Sequence, residues 1–328
     1  MTLDIEQPNA LRAYLRATGH IGATEDVMIR PLAGGVSNRT VLIQRATGEA
    51  WVMKQALAKL RVATDWFSDP ARIHREALGL RWLVELAPPG TITPLVFEDH
   101  KHHLLAMQAV PEPHANWKNL LLAGQLESDH VRQFGRLLGA IHSQIRPELA
   151  QDFADRSFFE SLRLEPYYAY TATQIPAATE FLNTLIAETR ACRAALVHGD
   201  YSPKNILVHN GRLILLDHEV IHWGDPAFDL GFSLTHLLSK AHHLPRQRSA
   251  FAEAVHIYME SYRELAAVDE PRVVRHTLAC LLARVAGRSP LEYLDQTERD
   301  RQQRAVVSLL PTSPATITAL VKGFLACL

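Results

Sequence analysis

The stretch LVHGDYSPKNILVHNGRLILLDHEVIHWGDPAFDLG, residues 196–231, decides how the rest of the chain is read. Two runs, 205–209 and 212–216, flank Asn210-Gly211. Asn-Gly between apolar runs is the strongest short hairpin signal, because both turn residues must accept positive φ. The hairpin folds Asp217, twelve residues after Asn205, back beside Asn205. An amide oxygen and a carboxylate oxygen then converge, a donor set that suits a hard cation such as Mg2+. Asp200, on the loop leading into the hairpin, is placed to accept the proton of an attacking hydroxyl.

His198, Asp200 and Asn205 have the H-x-D-x-x-x-x-N spacing of the kinase catalytic loop, and Asp217 takes the place of the metal-holding Asp of Asp-Phe-Gly. The spacing alone is weak, since Asp and Asn cap many turns. Joined to the hairpin, the second Asp and the trailing Gly224-Asp225-Pro226-Ala227-Phe228-Asp229-Leu230-Gly231, it becomes specific. With His-Gly-Asp for His-Arg-Asp, and Asp217-His218-Glu219 for Asp-Phe-Gly, the stretch resembles the aminoglycoside phosphotransferase and choline kinase superfamily rather than protein kinases.

That resemblance covers roughly residues 25–240 and implies an α+β, bilobal, kinase-like fold. The expected division is an N-terminal nucleotide-binding lobe at 1–107 with an antiparallel sheet plus a helix, a hinge at 108–113, and a larger, mainly helical lobe at 114–328. The implied reaction moves the γ-phosphoryl group of Mg-ATP to a hydroxyl of a small molecule, with Asp200 as the catalytic base and Asn205 and Asp217 on the metal. Asp229 is implied to brace the catalytic loop through backbone hydrogen bonds. Glu219 either joins the metal shell, as the D-x-E pair of methylthioribose kinase implies, or points outward.

The upstream half supplies a nucleotide site in the expected order. A short helix over 10–18 precedes a strand at 27–32, the turn Ala33-Gly34-Gly35-Val36-Ser37-Asn38-Arg39, and a strand at 40–44. Gly34 and Gly35, followed by Ser37 and Asn38, either lay backbone N–H groups over phosphates or make a plain hairpin. No G-K-[ST] follows, so this is not a P-loop. Lys54 ends the strand 49–55, placed to reach phosphate oxygens, and Asp69-Pro70 is read as the start of a helix over 71–86. Glu76 on that helix either pairs with Lys54, as in kinases, or sits exposed beside Arg72. Strands at 93–98 and 102–110 lead to the expected adenine-binding hinge at Gln108 and Val110, where backbone groups do the binding.

Further along, helices are expected over 129–145, 158–170, 177–190, 251–265, 272–285 and 315–325, with His142 read as a packed or capping residue. Trp66-Phe67, in the connection after Lys54, either plug a local gap or touch substrate. Arg284, Arg288, Glu292, Tyr293 and Asp295 either line the acceptor cleft or form a polar turn between helices. Asp225-Pro226 starts a helix so soon after Asp217 that no protein-kinase activation segment fits between them. A small acceptor is therefore expected. KQALAKLRV, residues 54–62, is similar to methylthioribose kinase, but that enzyme typically has serine where this chain has Asn205, and its tandem arginine has no counterpart here.

Composition narrows the classes. With 34 basic and 35 acidic residues there is no electrostatic case for nucleic acid or a membrane surface. The three cysteines are far apart and include no C-x-x-C pair, which argues against zinc or redox chemistry and fits a reduced compartment. Residues 1–9 show no basic-then-apolar signal, and no apolar run approaches membrane-spanning length, so a cytoplasmic protein is expected. His100, His102 and His103 flank an apparent hairpin turn and are read as exposed turn residues. The rival to a small-molecule kinase is a catalytically silent nucleotide-binding module of the same fold, or, more narrowly, a sugar kinase like methylthioribose kinase is meant.

Overall fold

The computed structural model describes residues 3–32, 35–61 and 65–328. Alternating apolar and polar residues shape the first part into an antiparallel sheet. Its strands are β1 (Val27–Pro31), β2 (Asn38–Arg45), β3 (Ala50–Ala56), β4 (Leu95–Asp99) and β5 (Leu104–Gln108), in the spatial order β1-β2-β3-β5-β4. Val41, Ile43, Trp51 and Met53 turn to one face, where the helix Pro8–Ala17, α1, adds Leu11 and Leu15. Val52, Leu105 and Met107 belong to the other core, shared with Ile73, Ala77, Leu80 and Leu83 of the helix Arg72–Leu86, α2. Lys54 lies on that side, between the sheet and α2.

The helix α2 begins at Arg72, later than the Asp69-Pro70 start read from the sequence. Ala71 is already helical at φ −58° and Asp69 does not cap the helix; its Oδ1 accepts the Ala71 N–H at 2.9 Å and closes a separate turn. The Asp225-Pro226 signal is read correctly: Asp225 accepts the Ala227 N–H at 3.1 Å at the head of the helix Pro226–His243.

The second lobe is built from that helix together with Ser128–His142, Thr179–Ala191, Arg248–Arg263, Glu270–Ala286, Gln296–Leu309 and Ile317–Ala326. Residues 158–170 do not form the plain α-helix that the sequence suggests. Glu160–Ala169 is a π-helix with Pro166 inside it. Proline cannot donate the bond that closes an α-turn, and the wider π-turn carries the segment through it with Arg163 and Tyr167 directed into the central cavity. The hairpin after the Asp200 loop has the expected form. Ile206–His209 pairs with Arg212–Leu215 across Asn210 and Gly211, both at positive φ, 49° and 73°. The Leu216 N–H donates to the Asn205 carbonyl at 2.9 Å, which delivers Asp217 beside Asn205. No described helix is long and apolar enough to cross a membrane.

The helices Pro226–His243 and Glu270–Ala286 touch at Gly231, where a Cβ would lie 2.5 Å from the His276 Cβ and 2.7 Å from the Thr277 nitrogen. Gly231→Ala must push these helices apart and is expected to cost about 1–3 kcal/mol. A lower urea midpoint at unchanged slope checks this, and an unchanged midpoint would show that the contact is not tight.

Candidate active site

The loop that carries Asp200 is fixed from beneath by Asp229. This fully buried carboxylate accepts the His198 N–H at 2.6 Å and the Gly199 N–H at 2.8 Å, and His142 Nε2 lies 3.2 Å away. Gly199 has φ 77°, and a Cβ there would come within 3.0 Å of Val220. The His198 Nδ1 accepts the Asp200 N–H at 3.2 Å, so three successive loop residues are tied down. His142 is indeed packed, and its other nitrogen meets the Tyr262 hydroxyl at 2.9 Å. Burial opposes the Asp229 charge, yet the His142 contact and the loop N–H groups outweigh it and hold the carboxyl below its ordinary value.

Asp200 itself is clamped through one oxygen. Asn205 Nδ2 donates to Asp200 Oδ2 at 2.7 Å and to the Asp200 carbonyl at 3.0 Å, while the Arg163 guanidinium reaches the same Oδ2 at 2.8 Å. Arg163 also donates to the Gly199 carbonyl at 2.9 Å. Asp200 lines the cavity, and its Oδ1 has no hydrogen-bond partner among the described residues. Spending the Asn205 amide nitrogen on Asp200 leaves its Oδ1 free as an acceptor.

Across the cleft, Lys54 bridges the two lobes. Its Nζ lies 2.7 Å from Glu76 Oε1 and 2.9 Å from Asp217 Oδ1. Burial alone would push the ammonium down, but Asp217 and Glu76 reverse this and hold it above the ordinary lysine value. Glu76 is wholly buried, which excludes the exposed alternative, and burial pushes it up to about 7 against the attraction of Lys54. Asp217 is held low despite burial by Lys54, Lys204 and Arg163, and its backbone sits at φ 68°, a conformation that costs a non-glycine residue energy. Such strain is retained where the surroundings dictate it, here by the end of the hairpin.

Glu219 points inward rather than outward. Its Oε2 accepts from Arg72 Nε at 3.2 Å and from Asn38 Nδ2 at 3.2 Å. Arg72, wholly buried, also donates to the Ser37 carbonyl and, at 2.9 Å, to that of Leu57. The side chains of Ser37 and Asn38 are thereby drawn into a buried network with Glu219. Gly35 lines the cavity, and Gly34 lies outside the described residues. At the hinge, the Gln108 and Ala109 N–H groups are spent on the carbonyls of Pro94 and Ala50, and the Val110 N–H has no partner among the described residues.

These residues open onto one cavity of about 800 Å3, lined by Lys54, Gln108, Val110, Asp200, Asn205 and Asp217 together with Arg163, His236, Arg284 and Arg288. Of the candidates for the acceptor cleft, Arg284, Arg288 and Glu292 therefore face it. Trp66 packs with Leu60, Leu162 and Val220 and lines the cavity, whereas Phe67 is exposed. Sequence reasoning misses Arg163 and Arg72 as site residues. The only signal for Arg72 is its place four residues before Glu76, and Arg163 sits in a segment whose period is read as 3.6. His74, Glu98 and His100 come within 4.8 Å of one another away from this cavity, but the two rings stack at 3.9 Å and Arg81 already holds Glu98.

Replacing the buried Asp229 by Asn leaves the loop N–H groups and His142 facing an uncharged amide, and is expected to cost about 3 kcal/mol at pH 7. Because the wild-type carboxyl is held low, its contribution is complete above the ordinary carboxylate range and is lost as pH falls through the lowered value. Asp229→Asn should lack that part of the acid dependence. Denaturant unfolding between pH 7 and pH 3 checks both effects, and parallel stability profiles would contradict the second.

The chain is 25% identical to methylthioribose kinase of Pectobacterium carotovorum subsp. carotovorum over 69% of its length, and 26% identical to that of Pectobacterium atrosepticum over 57%. The matches span 63% and 53% of those curated relatives, less than two thirds of their length. Among solved structures, an amicoumacin kinase in complex with AMP-PNP, Ca2+ and Ami superposes with a TM-score of 0.61 at 14% identity, covering 90% of this chain and 91% of that one. A macrolide 2'-phosphotransferase from Brachybacterium faecium gives 0.54 at 18% identity over 96% and 97%, and a choline/ethanolamine kinase family protein from Mesorhizobium loti 0.55 at 15% over 96% and 98%. These share the kinase-like fold. The model of the phosphotransferase enzyme family matches residues 28–268, and the chain belongs to that family.

Proposed function

We propose that the protein transfers the γ-phosphoryl group of ATP to a hydroxyl of a small molecule. The observation that carries this reading is Lys54, held between Glu76 and Asp217 in the same cavity that Asp200 faces with one free oxygen. Lys54 would meet the α- and β-phosphates, steadied by Glu76. Gly34 and Gly35 would cover the phosphates with backbone N–H groups, with Ser37 and Asn38 anchoring their turn. The adenine would pair with the backbone between Gln108 and Val110, at the boundary we place at 108–113 between lobes 1–107 and 114–328. The amicoumacin kinase of the same fold was solved with AMP-PNP, which supports a nucleotide in this cleft.

Asn205 Oδ1, Asp217 and Glu219 would supply an all-oxygen donor set, which fits Mg2+. When bound, the ion would neutralise charge on the phosphates. Asp200 Oδ1 would accept a hydrogen bond from the acceptor hydroxyl, orient it in line and take its proton. Arg163 and Asn205 keep that carboxylate from rotating. Catalysis then rests on positioning and on charge neutralisation more than on proton removal. The similarity to methylthioribose kinases favours a second, narrower reading with methylthioribose as acceptor.

ADP release from Mg-ATP across a panel of hydroxyl compounds tests the proposal. One compound should stimulate release, and Asp217→Ala should abolish it. Asp200→Asn should leave more activity, with kcat lower by about 100-fold, because the loop geometry and the charge neutralisation remain. Equal residual rates in the two variants would contradict this ordering, and stimulation that survives Asp217→Ala would sink the assignment of the site.

A further inference from the structure

The end of the cavity away from Lys54 is cationic, and its cations are not balanced. Three carboxylates there each have a partner. Glu292 is paired with Lys118, Glu165 lies 3.1 Å from Arg288, and Asp200 is held by Arg163. Arg284 is more than nine-tenths buried and forms no ion pair among the described residues, although Glu292 is near enough for Arg284 to lower its carboxyl. Its Nη1 donates to neutral groups, the Tyr167 hydroxyl at 3.1 Å and the Ser289 carbonyl at 2.6 Å, and its Nε is buried with no partner. Lys204, on the catalytic loop, has no ion pair among the described residues either.

His236 marks the centre of this charge. Its side chain lines the cavity and its Nε2 is buried without a partner. Burial keeps the ring neutral, and Lys240, Arg284, Lys118 and Lys204 all add to that effect. Lys240, fully buried behind it, is pushed down to about 7 by burial and by Lys118 and Arg284, with Glu292 opposing. A buried guanidinium with an orphaned N–H, lining a cavity beside further cations, is a site lacking its counter-charge.

We propose that the acceptor carries an anionic group, a carboxylate or a phosphate monoester, which sits against Arg284 with Lys204 beside it while its hydroxyl reaches Asp200. This rests on the kinase reading and deepens it. Lys204 also lies near enough to Asp217 to depress its carboxyl, so it stands between the two phosphate-facing ends, whereas Arg284 belongs to the acceptor side alone. A polycationic antibiotic would meet like charge here and is excluded as the preferred acceptor.

Matched pairs of compounds test this with the full chain. Gluconate is compared with glucitol, glycerol 3-phosphate with glycerol, and methylthioribose, choline and kanamycin serve as neutral and cationic probes. ADP release is measured with Mg-ATP, and calorimetric binding of each probe with Mg-AMP-PNP present. The acid of at least one pair should bind or react about tenfold better than its neutral partner. Which pair responds separates carboxylate from phosphate. Arg284→Met should erase that preference by raising the acceptor KM while the KM for ATP stays put, and Arg284→Lys should restore part of it. Preference for a neutral or cationic probe, no binding of either acid, or a rise in the ATP KM in Arg284→Met would overturn the inference. Phosphorylation of methylthioribose in preference to the acids would overturn it while leaving the kinase reading intact, whereas absence of Mg-AMP-PNP binding would fell both.

Discussion

Lys54 is a side chain that three elements share. It rises from β3, pairs with Glu76 of α2 and reaches Asp217 at the end of the catalytic hairpin. Glu76 is fully buried and Lys54 nearly so, and charges in such a place are tolerated only when each is answered. The sheet, the helix and the second lobe are therefore held in one register by a few charged atoms, and removing any of them strands the rest. A second link, Arg72 to Glu219, runs parallel to it and ties α2 and the glycine turn to the same Asp-His-Glu segment.

The lower lobe answers this with rigidity of another kind. Asp229 holds the catalytic loop by its backbone, and Arg163 and Asn205 hold Asp200 by a single oxygen. The carboxylate thus has a fixed direction before any acceptor arrives. Fixed direction is the contribution a protein can make to a loose phosphoryl transfer, where little covalent chemistry is left to it. On the proposed reading, the basic end of the cavity would extend the same logic to the part of the acceptor that does not react.

What the sequence made legible follows from what is local. Asn210-Gly211, Asp225-Pro226 and the spacing of Asp200, Asn205 and Asp217 carry their geometry within a few residues, and each is found as read. Lys54 and Glu76 were joined through the kinase resemblance, since nothing between residues 54 and 76 dictates that they meet. Arg163 was hidden because its placement depends on a π-turn around Pro166, which no 3.6-residue pattern reveals. Arg72 enters the sequence reading only as a neighbour of Glu76, because only the folded chain shows Glu219 arriving from 147 residues away. The helix Gln296–Leu309 has few buried side chains and so no apolar stripe, and its capping box, Asp295 with Glu298, is its clearest local mark.

Calorimetric titration with ATP, with and without Mg2+, bears most directly on the central claim that Lys54, Asn205, Asp217 and Glu219 form one metal–nucleotide site. The expected result is binding that Mg2+ strengthens in the wild type, with that strengthening lost in Asp217→Ala. Binding of equal strength with and without the ion, or an undiminished Mg2+ effect in Asp217→Ala, would contradict the claim.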